Sequence, residues 1–196
     1  REEESETSWE ELEEQQKKNE KATHRCVGLS LETRPDLISC EEVINLRKYG
    51  ATKIQLGVQS LNNRILRLNL RGHTQEDTKQ AFELLRLGGF KIHAHWMVNL
   101  YGSSLKKEIK DFKKLWTKDF CPDDLKIYPT EIIPNTKLAE LWREGKYNAY
   151  ETFELIELIA KMKLLVPYFC RITRIVRDIP AQEIAGGNKV SNLRQD

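Results

Sequence analysis

The chain has 196 residues, and its 32 Lys+Arg against 30 Asp+Glu leave a formal net charge of +2. That length fits one large domain or a portion of a longer protein, and a charge so near balance excludes a uniformly basic nucleic-acid binder, so any basic surface is local. With 39% hydrophobic residues the chain can bury a core, no apolar run approaches the roughly 18 residues that span a bilayer, and a glutamate-rich start is the reverse of a secretory signal; the expectation is a soluble, cytoplasmic protein.

Residues 1–25 read as a polar lead-in. Ser8 followed by Glu11 is a capping box, which predicts a solvated helix from Ser8 to about Thr23. From residue 26 the pattern alternates. Cys26 to Glu32 is a predicted strand. Ser39 with Glu42 caps a helix that Gly50 stops. Lys53 to Gln59 is the next strand, residues 61–69 a short helix, and Thr74 with Asp77 caps a longer helix ended by Gly88-Gly89. Phe90 to Val98 is a strand. After a turn at Asn99–Ser103, Ser104 caps an amphipathic helix with Leu105, Ile109, Phe112, Leu115 and Trp116 facing inward. Asp124 to Tyr128 is a strand, residues 136–144 and 150–165 are helices, and Arg171 to Arg177 is the last strand. About five strands with helical crossovers between them predict parallel pairing. The fold expected is most of a (β/α) barrel, or an open α/β sheet, over residues 26–196 with its beginning missing.

In such architectures the working side chains gather at the carboxyl ends of the strands. Those ends carry Glu32-Thr33-Arg34, Gln59-Ser60, Asn99 with Gly102, Tyr128 with Thr130, and Arg177-Asp178, while His95 and Lys126 lie inside their strands. Polar loops follow strands in any protein, so the pattern leaves both readings open. Glu32 either forms an ion pair with Arg34 that staples the turn or accepts hydrogen bonds from a ribose diol or an amine. Gln59 offers an amide that donates and accepts, beside Gly57, which permits close backbone approach. The Asn99 loop leads into a helix amino terminus that could hold an anionic group. There is no G-x-G-x-x-G and no Walker sequence.

Cys26, Cys40, Cys121 and Cys170 are scattered with no C-x-x-C, so no metal-ligand set is expected from this chain alone. His93 and His95 point the same way on their strand, and a hydrogen-bonding or pocket-lining role is expected for one of them. Arg171, Arg174 and Arg177, with Lys189 and Arg194 beyond, form a local basic cluster suited to phosphate contacts. Pairing with neighbouring carboxylates is an equally common use, and strand alternation prevents all three arginines from sharing one face.

Gly28-Leu-Ser-Leu-Glu-Thr-Arg-Pro-Asp36, Leu56-Gly-Val-Gln-Ser60, Arg71-Gly-His-Thr74, Leu125-Lys-Ile-Tyr-Pro-Thr130, and Arg177-Asp-Ile-Pro180 with Asn192-Leu-Arg-Gln195 occur in order. Together they resemble the radical S-adenosylmethionine region of the catalytic subunit of Elongator and its stand-alone archaeal and bacterial relatives, from about Ser8 to Gln195. The resemblance implies a partial (β/α) radical-SAM, TIM-like barrel from a tRNA carboxymethyluridine synthase, which acts on C5 of the wobble uridine. It implies S-adenosylmethionine, a [4Fe-4S] cluster and acetyl-CoA as the source of the added group, with tRNA as substrate and a homodimer or accessory subunits as possible company. By analogy with related barrels, Glu32 and Gln59 contact S-adenosylmethionine, Arg34 and His95 line the same mouth, Lys126 and Tyr128 face the substrate, and Arg171, Arg174 and Arg177 lie toward the tRNA. No residue is assigned the chemistry itself.

Two departures stand out. The family's three cluster cysteines and its acetyltransferase domain have no counterpart here, which reads as a fragment inactive by itself. The family's Met-Pro-Asn-Leu is Met97-Val-Asn-Leu100, and the missing proline frees the turn. The alternative is a non-catalytic tRNA-binding or assembly module with the same barrel. A different radical barrel, such as a porphyrin-pathway oxidase, is disfavoured by Leu125–Thr130 and the segments around Arg177 and Arg194.

Overall fold

A computed structural model of the chain describes residues 8–176 and 179–187. The helix α1 (Trp9–Lys21) buries none of its residues, as its polar pattern requires. Its capping box at Ser8 is formed in both directions. Then follow β1 (Ser30–Thr33), α2 (Cys40–Lys48), β2 (Lys53–Gln59), α3 (Asn63–Leu68), α4 (Gln75–Leu87), β3 (Lys91–Val98), α5 (Leu105–Lys114), β4 (Asp124–Pro129), α6 (Lys137–Arg143), α7 (Thr152–Lys163) and β5 (Arg171–Ile175). Ser39 and Thr74 cap α2 and α4 through their side chains. Ser104 precedes α5 but makes no side-chain capping bond.

Two strand boundaries differ from expectation. The first strand opens at Ser30 rather than Cys26. The Asn19 side chain of α1 takes both the N–H and the carbonyl of Cys26, each at 2.9 Å, so that peptide is not available to a ladder. The last strand closes at Ile175 because Val176 adopts a φ of 75°, a conformation foreign to a strand and costly for a β-branched residue. Arg177 lies outside the described residues.

All neighbouring strands pair in parallel in the order β1-β2-β3-β4-β5. Parallel strands in sequential order wind in one direction, which puts the crossover helices on one face of the sheet. The side chains agree. Ile54, Leu56 and Val58 of β2, Ile92, Ala94 and Trp96 of β3, and Leu125 and Ile127 of β4 join Phe82, Leu85, Phe112, Leu115, Leu158 and Met162 of the helical layer in one core. The alternate positions are mostly polar: Ser30 and Glu32, Lys53 and Gln55, His93 and His95, Asp124, Lys126 and Tyr128, and Thr173, with Met97 an apolar exception. On this face β2 and β4 reach one another across β3, through a Lys53–Asp124 ion pair and a Lys126–Gln55 hydrogen bond. A one-sided, curved arrangement of this kind is an arc of a barrel, not a sheet covered on both faces. No described helix is long and apolar enough to cross a membrane.

Candidate functional site

At the carboxyl ends of the strands a cavity of ≈ 370 Å³ is lined by Glu32, Gln59, Arg71, His95, Met97, Lys126 and Tyr128, among others. A second cavity of ≈ 520 Å³ opens toward the amino ends, where Lys53, His93, Thr173 and Arg174 meet the same Lys126. The polar lumen therefore runs between two openings, with Lys126 at the join.

Gln59 is the most constrained member. It is only 9% exposed and has a φ of 65°, and Ser60 N donates to Val58 O at 2.8 Å across it. Its side-chain carbonyl oxygen is buried without a hydrogen-bond partner. Buried carbonyl groups are seldom left so, and Gln59 is one of the residues that line the cavity. Gly57 makes the room: a Cβ there would come within 3.3 Å of Gln59 Nε2. The Glu32 carboxylate is 62% exposed and lies 3.5 Å from Nδ1 of the buried His95. Its suspected ion pair with Arg34 is absent. Arg34 instead donates through Nε to Asp36 at 3.1 Å and pairs with the same carboxylate through Nη2. Arg34 thus staples the turn after β1 and does not line the cavity.

Around this pair, His95 Nε2 is 2.9 Å from Gln55 Oε1, and the imidazole sits edge-on to Tyr128 at 5.9 Å. Burial pulls the Lys126 ammonium below its ordinary value; Glu32 opposes the shift, and Arg174 and Lys53 add to it. His93 is pulled down to about 4, by burial first and then by Lys126, so its imidazole is neutral at pH 7, with Thr173 Oγ1 2.8 Å from Nε2.

Sequence reasoning assigned Arg71 no role, yet its guanidinium enters the cavity half-buried. It makes no ion pair or side-chain hydrogen bond among the described residues, and burial together with nearby Arg34 disfavours its charge. A cation so placed calls for an anionic group on whatever fills the cavity. Of the predicted basic cluster only Arg171 and Arg174 are described; Arg177, Lys189 and Arg194 lie outside the described residues. Arg171 pairs in register with Asp124 at the amino start of the strands, and Arg174 lines the amino-side cavity. The expected anion site at the start of α5 is filled from within: Glu108 Oε1 accepts from Asn99 N at 2.8 Å and from the Tyr150 hydroxyl at 3.0 Å. Tyr147 donates its hydroxyl to Asn99 O at 2.8 Å. None of Glu108, Tyr147 or Tyr150 was singled out, because each reads as an ordinary helix or loop residue.

The donor set fits S-adenosylmethionine. An open carboxylate, an orphaned amide oxygen and an unpaired guanidinium around one opening match its hydroxyls, ammonium and carboxylate. It does not fit an iron–sulfur cluster. No group of three or more His, Cys, Asp or Glu gathers among the described residues. Cys26 and Cys40 are exposed and far along the chain from Cys121 and the buried Cys170, whose thiol burial pushes up to about 12.

Residues 5–115 match the Radical SAM superfamily and residues 122–196 the Radical_SAM C-terminal domain. The chain belongs to the Radical SAM superfamily. It is 48% identical over 183 residues to the tRNA uridine(34) acetyltransferase of Methanocaldococcus infernus, covering 93% of this chain and 34% of that protein. It is 37% identical over 180 residues to human Elongator complex protein 3, covering 91% and 33%. The solved structure of the archaeal Methanocaldococcus infernus Elp3 with an N-terminal deletion aligns with a TM-score of 0.89 at 47% identity, over 93% of this chain and 43% of that one. The chain thus spans about a third of the length of these curated relatives. Escherichia coli coproporphyrinogen III oxidase, a radical SAM enzyme, aligns with a TM-score of 0.58 at 18% identity and shares the fold.

Proposed function

We propose that this chain is the radical S-adenosylmethionine portion of a tRNA-modifying enzyme that adds a carboxymethyl group, derived from acetyl-CoA, to C5 of the wobble uridine. The observation that carries the reading is the convergence of Glu32, Gln59 and Arg71 on one cavity at the strand ends. The likeness to a tRNA uridine(34) acetyltransferase supports the substrate. S-adenosylmethionine, when bound in this family, supplies hydrogen-atom abstraction. The chain's own residues bind and orient it: Glu32 accepts from hydroxyl or ammonium groups, Gln59 Oε1 takes one further donor, and Arg71 forks onto a carboxylate. His95 and Lys126, tied together through Gln55 Oε1, form a rigid polar floor. The Lys53, Lys126 and Arg174 cations make the open side of the barrel favourable to an RNA backbone. A cytoplasmic enzyme acting on tRNA, with Elongator-like accessory subunits or a second copy as company, completes the reading.

The test uses the full-length protein with its cluster reconstituted. S-adenosylmethionine is expected to be cleaved in the presence of tRNA. Glu32→Ala should weaken S-adenosylmethionine binding by roughly tenfold to a hundredfold, the loss of hydrogen bonds to a charged group, with the thermal midpoint unchanged. Absence of cleavage, together with absence of a cluster, would favour a non-catalytic tRNA-binding module instead. Unchanged affinity would take Glu32 out of the site.

A further inference from the structure

Gln59 stands at the centre of a three-residue turn, closed by Ser60 N on Val58 O at 2.8 Å. With φ at 65° this is the rare, strained hand of such a turn. The strand register shifts here: Leu56 pairs with Ala94, but Gln59 pairs with Trp96, so β2 carries one extra residue. A bulge reverses the faces that follow it. Trp96 is a core residue, so register alone would aim Gln59 toward the helices. The left-handed backbone returns its carboxamide to the cavity.

Strained backbone persists only where its surroundings over-determine it, and two buried side chains do so here. On the near side, His73 is 4% exposed, and its Nε2 lies 3.0 Å from Val58 O. A carbonyl only accepts, so Nε2 carries the proton, consistent with burial favouring the neutral imidazole. On the far side, Asp111 of α5 is 7% exposed. Its Oδ2 accepts from the Ser60 hydroxyl at 2.6 Å and from Leu61 N at 2.9 Å. Lys114 neutralises it at 3.1 Å and donates to Leu61 O at 3.2 Å. The Ser60 hydroxyl in turn accepts from Asn62 N at 3.1 Å. Neither Asp111 nor His73 lines the mouth.

We propose that Asp111, with His73 opposite it, is a positioning residue that holds the Gln59 turn in its left-handed form and so presents the Gln59 carboxamide to the ligand of the mouth. The ligand rests on the reading above, S-adenosylmethionine; the bracing of the turn does not.

The experiment is a double-mutant cycle on the reconstituted full-length protein, read by calorimetric S-adenosylmethionine affinity. Asp111→Ala should weaken binding about tenfold in the wild-type background and less than twofold where Gln59 is already alanine, and Asp111→Asn, which keeps an acceptor, should restore most of the loss. Equal losses in both backgrounds, or none in the first, would overturn the proposal, since a role confined to stability does not depend on the Gln59 side chain. If Asp111→Ala does not fold, Ser60→Ala takes its place in the cycle. A crystal structure of the same variant supplies a ligand-free reading. Gln59 leaving the left-handed region upholds the brace, and an unmoved Gln59 removes it, even if the wild-type protein were to bind no S-adenosylmethionine and the functional reading were to fail.

Discussion

Glu108 shows how far one side chain can depart from its ordinary chemistry. Burial pushes its carboxyl up to about 7, against the pull of hydrogen bonds from Asn99 N, Tyr150 and Ser103, and the charge of Asp111 adds to the rise. A carboxyl raised from 4.5 to about 7 keeps its proton in the folded state while the unfolded chain has lost it. Its contribution to stability is complete below the lower value and is lost as pH climbs through the upper one, a span worth roughly 3 kcal/mol. His93 runs the other way. Its pKa falls from 6.5 to about 4, so acidification across that interval destabilises the fold by charging the unfolded histidine first. The two slopes oppose each other in the wild-type protein. Glu108→Gln is expected to unmask the histidine, so that stability from urea melts drops more steeply on going from neutral pH to pH 4 than in the wild type. Parallel curves for the two proteins would assign Glu108 an ordinary pKa. None of this was visible in the sequence, where Glu108 is one charge on a charged helix. Glu32 and Gln59 were visible, because an acid and an amide closing apolar strands stand out against their neighbours.

At the scale of the element, α5 does two jobs with one face. Its apolar residues were expected to point inward, and Phe112 and Leu115 are fully buried, with Leu105, Ile109 and Trp116 partly so. The same face buries Glu108 and Asp111, three positions apart and therefore stacked on the helix. Each carboxyl group holds the backbone just past a strand, Asp111 at Ser60–Leu61 after β2 and Glu108 at Asn99 after β3. The helix can bear two buried acids because its aromatic ring anchors it: Phe112 meets Trp96 edge-on at 5.3 Å and Trp116 at 5.5 Å. Phe112→Ala should cost about 3–5 kcal/mol, the usual figure for emptying a phenylalanine site, as a lowered urea midpoint at constant slope. Replacing Phe112 with leucine should recover most of that loss if packing is the cause. Amphipathic periodicity placed this helix and its inward residues correctly. It could not reveal the carboxylates, because their partners lie in loops outside the helix: Asn99 nine residues away, Tyr150 42, and Ser60 and Leu61 51 and 50.

For the whole molecule, the barrel arc sorts its chemistry by side: apolar groups lie between sheet and helices, and polar groups fill the lumen. The alternation of Lys53-Ile-Gln-Leu is the sequence trace of that division, since parallel strands covered on both faces are apolar throughout. The cysteines, by contrast, are distributed without regard to the mouth. Residues 1–196 supplied with iron and sulfide under anaerobic conditions are therefore expected to yield no stoichiometric cluster by absorbance or iron content. A chain holding four irons would overturn that expectation. S-adenosylmethionine titrated into the same preparation is expected to bind more weakly to these 196 residues than to a full-length relative, of which they match about a third.

The sequence by itself determined the succession of strands and helices, the parallel winding, the polar strand ends and the superfamily, because hydrophobic period, capping residues and local motifs are short-range properties of the chain. Tertiary structure alone decided that Arg34 turns to Asp36, that Arg71 enters the cavity, that Arg171 and Arg174 sit toward the amino ends of the strands, and that Asp111 and His73 grip the Gln59 turn. Those outcomes depend on which side chain wins a partner in three dimensions, and a buried donor or acceptor takes whatever the fold brings within about 3 Å, however distant in sequence.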